Sequence, residues 1–389
     1  MRVLHMTDAF LPRLGGIEVQ VAGLALAQAA RGDEVAILTT TLPASREGGR
    51  SVEWLVSDGA GGLTITDAPS PSSSPAVRVH RVATRMPLDA PVHPLAPRHL
   101  AALVKQFDPE VVHFHMGIAT PSVEASLGQA ADRVRVLQVH SVWTLGSGRA
   151  YGLVGRLSPF PPKGVQLAAV SRLAALPVST AFGRPVMVIG NGLELGPWRV
   201  DPVEHEGVHV VTATRFARRK RVPAMLRVLR DAAEELGEGH GMRATIAGDG
   251  PGLEPARRWV EDQGMAGWVE FPGRQSPEQL RALYARADIY LSPVVLEAFS
   301  IAVLEAQAAG LAIVVREQSG AAERIVDGRS GLTADDDDGL TAALVRLVRD
   351  QSELDRIRAH NRAVPPPYDW PSVVARTDEV YAAAQRLLE

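Results

Sequence analysis

Short runs of β-branched and apolar residues alternate along the chain with longer stretches whose apolar positions recur at helical spacing. RVLHMTD, EVAILTT, VVHFHMG, RVLQVHS and QLAAVS read as buried strands, and IEVQVAGLALAQAARG between the first two reads as a helix. Strands that are apolar on both faces and joined by helices call for a parallel sheet with helices on either side. After Asn191-Gly192 the pattern restarts with VHVVTAT, RATIAGD, WVEFPG, DIYLSP and LAIVVR, interleaved with helices such as RVPAMLRVLRDAAEELG and PEQLRALYARA. Two doubly wound α/β domains are expected, residues 1–192 and 193–370, with NGLELGPWRVDP as the linker. Pro365-Pro366-Pro367 halts the second domain, and the amphipathic segment 371–389 is placed to return as a helix to the first. Residues 42–76, rich in Gly, Ser and Pro, read as a mobile loop or a small extension of the first sheet.

A chain of 389 residues is longer than one core usually supports, in keeping with two domains. A formal net charge of -3 excludes a strongly basic, non-specific nucleic-acid binder, and no nucleic-acid partner is expected. Residues 1–192 carry 17 Lys+Arg and 13 Asp+Glu, net +4, against 24 and 31, net -7, in the remainder. That excess is too small to define a partner. The absence of cysteine removes disulfides, thiolate nucleophiles and thiolate metal sites. No apolar run reaches the roughly 18 residues that span a bilayer, and the N-terminus enters a strand pattern directly. A cytoplasmic protein is expected, at most peripheral at the inner membrane face.

Ligands of open parallel sheets bind beyond the carboxyl ends of the strands, so the residues just after each strand are the ones to weigh. In PVVLEAFSIAVLEAQAAG, residues 293–310, Glu297 falls in the turn after DIYLSP and Glu305 two turns into the following helix. Backbone N–H groups at that helix start, near Ser300 and Ile301, lack intrahelical acceptors and can receive a diphosphate with the help of the helix dipole. The two carboxylates can accept hydroxyl protons from a sugar and a ribose; alternatively Glu297 caps the helix and Glu305 is a solvated position. Arg215 directly follows VHVVTAT and Lys220 opens the next helix, combining a planar fork of donors with a compact charge. Gly15-Gly16 after the first strand is an anion cradle or a plain tight turn, and Glu18 opens the helix beyond it. His113 and His115 are read as following the third strand and His140 as following the fourth; each alone suits a structural role, whereas three at successive strand ends suggest a cleft. AGDGPG, residues 247–252, lacks the third spaced glycine of a dinucleotide fingerprint, so Gly248 and Gly250 better suit close approach of a base or ribose. The run Asp335 to Asp338 reads as a solvated loop, and no metal site is expected.

GGIE at 15–18, VVHFH at 111–115, QVHS at 138–141, AVS at 169–171, IGNG at 189–192, TRFARRK at 214–220, AGDGP at 247–251, FPGR at 271–274 and EAFSIAVLEAQAAG at 297–310 form an ordered series along nearly the whole chain. With it the chain resembles the family-four retaining glycosyltransferases of the GT-B fold, the glycogen synthase and mannosyltransferase-like group. The resemblance implies two Rossmann-like domains facing a cleft, the last helix crossing back to the first. It implies a metal-independent hexosyltransferase that moves a sugar from a UDP- or GDP-sugar to a hydroxyl of a small-molecule, glycan or lipid-linked acceptor, with no cofactor beyond that co-substrate. Arg215 and Lys220 match the pair that neutralises the donor diphosphate, Glu297 the carboxylate facing the transferred sugar, and His140 the histidine that contacts it. Glu305 matches the ribose ligand, and Phe299, Ser300 and Ile301 would offer backbone N–H groups to sugar and phosphate oxygens. Gly15 and Gly16 match the loop that closes on the donor phosphate, Gly248, Gly250 and Arg274 the base pocket, and Glu18, with His113 and His115, the acceptor side. The sequence departs from the family at Ser300 and Arg221, where Gly is common, and at VREQSGAAE, residues 315–323, in place of a small-residue turn. A nucleotide-sugar 2-epimerase and a sugar-nucleotide-binding protein without turnover are the alternative readings.

Overall fold

The computed structural model describes the chain apart from residues 14, 58–61, 70–74 and 158–159. It divides into two compact units, Met1–Leu193 together with Tyr368–Glu389, and Glu194–Pro367.

The first unit holds β1 (Arg2–Thr7), β2 (Glu34–Thr39), β3 (Gly49–Ser57), β4 (Leu63–Thr66), β5 (Ala76–Ala83), β6 (Val111–Met116), β7 (Val134–Val139), β8 (Val165–Ala169) and β9 (Val186–Val188). They form one sheet in the order β4-β3-β5-β2-β1-β6-β7-β8-β9. All neighbours run parallel except β3, which is antiparallel to both β4 and β5. The described part of the Gly-, Ser- and Pro-rich region is thus a sheet extension. Its signal in the sequence is weak because the first half of β3 is solvent-exposed and carries no apolar alternation.

The helix Trp370–Leu388 lies against β7, β8 and the helix Gly16–Ala30. Two glycines admit it: a Cβ at Gly23 or at Gly192 would run into the Trp370 indole. Asp369 caps the helix, accepting from the Ser372 N–H at 3.0 Å. Val373, Val380, Tyr381 and Ala384 then join Val3, Val111, Val134 and Val136 in one buried cluster. This apolar face is why a segment remote in sequence returns to the first sheet.

The second unit holds β10 (Val208–Ala213), β11 (Met242–Ala247), β12 (Val269–Gly273), β13 (Ile289–Ser292), β14 (Ala312–Arg316) and β15 (Gly331–Ala334), all parallel, in the order β12-β11-β10-β13-β14-β15. The chain winds outward from β10 in one direction and from β13 in the other. A crevice therefore opens beyond the carboxyl ends of β10 and β13, where loops diverge to opposite faces. The first sheet reverses in the same way between β1 and β6.

The acidic run is a solvated loop only in part: Asp335, Asp336 and Asp338 are exposed, but the run also starts a helix and Asp337 is engaged. Asp336 caps the helix Asp337–Arg349 by accepting from the Gly339 N–H at 2.7 Å. Asp337 accepts both arms of the Arg221 guanidinium, at 3.0 and 2.8 Å, and Arg316 at 2.7 Å. Burial alone would raise its carboxyl, but the two guanidiniums hold it below the ordinary range. Among the described residues no helix is long and apolar enough to cross a membrane.

Candidate functional site

At the reversal of the second sheet, Arg215 lies two residues past β10 on a loop sewn to its neighbour. Thr214 N–H donates to Ala247 O, Phe216 N–H to Asp249 O and Gly252 N–H to Phe216 O, each at 2.9 Å, while Gly248 N–H reaches Gly273 O at 2.8 Å. These bonds demand close contact. A Cβ at Gly248 would overlap Thr214 O, and one at Gly250 would lie 2.9 Å from Phe216 O, with φ at 141° for both glycines. The room that Gly248 and Gly250 leave is thus filled by the chain itself rather than opened to a base or ribose. Their work is to seat the Arg215 loop. The guanidinium of Arg215 is exposed and, among the described residues, makes no hydrogen bond or ion pair. Arg274, just beyond the Gly273 that bonds Gly248, is exposed as well.

Lys220 ends a tight turn, Arg218–Lys220, and the helix proper starts at Val222, two residues after the expected opening at Lys220. Arg221 between them adopts φ 53°. The Lys220 ammonium pairs with the Glu297 carboxylate, and Arg219 Nη1 stands 3.9 Å from the same oxygen. Lys220 and Glu297 are only 18% and 16% exposed, so the pair is partly screened from water. Glu297 sits on the loop after β13, clamped by the departing segment 315–323: Leu296 N–H donates to Gln318 O at 2.9 Å and Gly320 N–H to Glu297 O at 2.8 Å. A Cβ at Gly320 would strike Ala298 O.

The helix Ile301–Ala308 follows, with Ser300 as its N-cap at φ 64° and no side-chain cap bond. The carbonyls of Phe299 and Ser300 each accept from Arg324 at 2.8 Å, and that guanidinium lies 4.7 Å from the Phe299 ring centre. Arg324 and Gly320 escaped sequence reasoning; they act through backbone carbonyls, which leave no mark in residue type. With those carbonyls tied back, the first-turn N–H groups of the helix are the free polar groups at its start. Glu305, in the second turn, is half-buried, and burial pushes its carboxyl up to about 7. A solvated position is thereby ruled out. The second unit gathers Lys220, Arg219 and Glu297 at one point and sets Arg215 and a helix N-terminus on the loops of the same reversal. That arrangement suits a polyanion beside a hydroxyl-bearing group.

In the first unit, Gly15 is the extended N-cap of the helix Gly16–Ala30, and Glu18 in the first turn folds back over it. A Cβ at Gly15 would collide with the Glu18 carboxylate, whereas Gly16 faces open space. Glu18 is buried, with Arg13 Nε 3.9 Å from its carboxylate.

His113 and His115 lie within β6 rather than after it, and are 0% and 1% exposed. Two residues apart on a strand, they face the same side, the side covered by the Trp370–Leu388 helix. Burial leaves them no surface to offer an acceptor, which corrects their expected placement. His5 on β1, paired in register with His113, completes a stack that the sequence concealed because register is not written in it. His115 Nε2 is 2.9 Å from His5 Nδ1, and His115 Nδ1 is 3.0 Å from His140 Nε2. His5 Nε2 is 2.7 Å from Gln28 Oε1, Gln28 Nε2 donates to Tyr381 Oη at 3.2 Å, and that hydroxyl is 2.9 Å from His113 Nδ1. Burial lowers His5 and His140 to about 4, and His113 and His115 well below the ordinary histidine value, so all four are neutral near pH 7. Ring nitrogens of His5, His113 and His115 lie within 4.8 Å of one another, a spacing that a metal ion can use. His140 directly follows β7, as expected. It lines a small cavity with Gln20, Gln138, Asn191 and Trp370.

Comparison with known proteins agrees with both units. The model described as "Glycosyltransferase Family 4" matches residues 14–196, and "Glycosyl transferases group 1" matches residues 200–364. A glycogen synthase of Mycobacterium tuberculosis is 27% identical over 318 residues, covering 72% of this chain and 70% of its own. A phosphatidyl-myo-inositol mannosyltransferase of Mycolicibacterium smegmatis is 28% identical over 300 residues, covering 74% and 75%. Among solved structures, a glycosyltransferase from Rickettsia africae superposes with a TM-score of 0.71 at 13% identity, covering 99% of each chain. HepE from Anabaena in complex with UDP gives 0.68 at 16% identity, covering 98% of this chain and all of its own. Matched in this way through both units, the chain belongs to the glycosyltransferases of the GT-B fold, with a family 4 unit followed by a group 1 unit.

Proposed function

We propose that the chain transfers a sugar from a nucleotide-diphosphate sugar to an acceptor hydroxyl with retention at the anomeric carbon. The observation that carries this is the reversal between β10 and β13, which sets Lys220 and Arg215 against Glu297 and the helix that starts at Ile301. As the sugar departs, negative charge grows on the leaving diphosphate. Lys220, unpaired Arg215 and the first-turn N–H groups are fixed donors for that charge, a preorganised electrostatic stabilisation rather than a covalent one. Before an anion arrives, Glu297 holds Lys220 in place. With charge neutralised by side chains and amides, the proposed reaction needs no divalent ion, and a leaving phosphate oxygen can take the acceptor proton on the same face. Glu305, with its carboxyl near 7, can both give and accept a hydrogen bond at the ribose hydroxyls. Roles for Gly15, Gly16, Glu18 and His140 toward donor or acceptor belong to the same proposal. The structure of HepE with UDP-glucose supports a UDP-sugar as donor, and the phosphatidyl-myo-inositol mannosyltransferase relative supports a lipid-linked acceptor; a GDP-sugar donor and a glycan acceptor belong to the same proposal.

Incubation with UDP-glucose or GDP-mannose, with and without a glucan or phosphatidylinositol vesicles, tests this reading. Nucleotide released only with acceptor supports transfer, a changed sugar without acceptor indicates epimerisation, and binding without either product indicates a binding protein. Lys220→Ala should lower turnover by about 100- to 1,000-fold, the loss expected for one transition-state charge contact, while the protein still folds cooperatively. Near-normal turnover in that variant rejects the leaving-group role.

A further inference from the structure

The buried histidines of the first unit form one hydrogen-bonded chain, and its polarity can be worked out from the two glutamine amides that flank it. Gln138 lies 3.1 Å from the backbone carbonyl of Ile189, which can only accept, so the Gln138 amide nitrogen faces Ile189 and Oε1 faces away. His113 is the neighbour of Oε1, and Gln138 Oε1 and His113 Nε2 are both buried, neither within hydrogen-bond distance of a partner. A lone pair on Nε2 would face the lone pairs of Oε1, which favours the proton of neutral His113 on Nε2 and leaves Nδ1 bare, in agreement with the Gln28 amide nitrogen donating to the Tyr381 hydroxyl. Nδ1 then accepts from the Tyr381 hydroxyl, whose oxygen must accept from the Gln28 amide nitrogen. Gln28 Oε1 is thereby turned to His5, whose Nε2 carries the proton and whose Nδ1 is bare. His115 donates from Nε2 to His5, and His140 from Nε2 to His115. The chain ends at His140 Nδ1, buried and without a partner, beside a cavity of about 10 Å³, the room one water or hydroxyl needs.

We infer that Gln28 and Tyr381 are positioning residues that lock His140 in the tautomer with a bare Nδ1, so that His140 accepts a hydrogen bond from a ligand hydroxyl and cannot offer one. The inference concerns the first unit alone and stands whether or not the chain transfers sugar. Neutrality of all four rings, enforced by burial, is its precondition. The same nitrogens serve either the chain or a metal ion, not both, because a metal on His5 Nδ1 and His115 Nε2 would displace the proton between them.

The test is the imidazole nitrogen spectrum of the full-length protein labelled with ¹⁵N-histidine, at neutral pH, with the His140 signals identified by their loss in His140→Asn. The expected result is a single tautomer, Nδ1 pyridine-like and Nε2 proton-bearing. Tyr381→Phe, which frees the Gln28 amide to turn, should convert this into a mixture, with roughly half of the Nδ1 sites protonated where nothing biases the chain. Gln28→Leu should do the same, and the wild-type spectrum decides by itself if a variant does not fold. A proton on Nδ1 in the wild type overturns the inference. So does an unchanged single tautomer in both folded variants, or one equivalent of zinc retained after dialysis against the metal.

Discussion

Ser300 and Arg221 show how a residue departs from its family without leaving its geometry. They occupy the two positions where glycine is common, and the structure gives them φ of 64° and 53°, the left-handed region. That region costs a side-chain-bearing residue about 1–2 kcal/mol, while glycine costs roughly 0.5–1 kcal/mol in extra unfolded-state freedom. Ser300 makes no cap bond with its side chain, so Ser300→Gly should gain the difference, about 0.5 kcal/mol, in urea denaturation. A loss would show that the hydroxyl has a role the fold does not reveal. Arg221 is different, because its guanidinium holds Asp337 and the Pro293 carbonyl together. Arg221→Gly relieves the same strain but frees those partners, and a net loss of about 1–2 kcal/mol is expected in the same measurement. Opposite signs at like backbone angles would separate strain from side-chain bonding.

At the level of elements, the Arg215 loop owes its place to another loop. Adding a methyl at Gly248, where φ is 141°, drives it into Thr214 O and pushes apart the strand ends of β10 and β11. Gly248→Ala should therefore cost about 2–4 kcal/mol, the range for overpacking joined to a forbidden backbone angle, and should weaken binding of UDP or GDP measured by calorimetry. Stability lost with nucleotide affinity intact would uncouple the loop from the site. The strand runs, the two sheets and the returning helix were legible in the sequence because burial on both faces writes itself into residue type. Lys220 and Glu297 were legible as charges after strands, yet their pairing across 77 positions was not. The histidines were misplaced because ending the strand before His113, rather than at Met116, turns a buried row into apparent loop ligands. Asp337 reads as solvated in the sequence because its two arginine partners exist only once the helix and β14 are in place.

For the molecule as a whole, protonation distinguishes the two units. His5, His113, His115 and His140 all titrate below the ordinary 6.5 when folded, two of them near 4. Between about pH 4 and 6.5 the unfolded chain binds protons that these folded rings refuse, so their contribution is present above 6.5 and lost as pH falls. Asp8 acts oppositely: burial raises it from 3.8 to about 7, against the Ser122 and Val123 N–H groups it accepts from, so its contribution declines as pH climbs through that window. In the first unit the four lowered rings outnumber the one raised carboxyl, so the stack's net contribution to stability grows with pH across this window. In the second unit the raised carboxyl of Glu305 opposes the lowered His209, and the smaller shifts of His80, His93 and His99 in the first and His240 and His360 in the second share one sign. Hydrogen exchange of the full chain at about pH 5 and 6.5, corrected for intrinsic rates, should show peptides of β1, β6 and β7 gaining protection strongly with pH and those of β10 and β13 changing little. Equal gains in both would mean that the histidine stack is not the dominant proton-linked element.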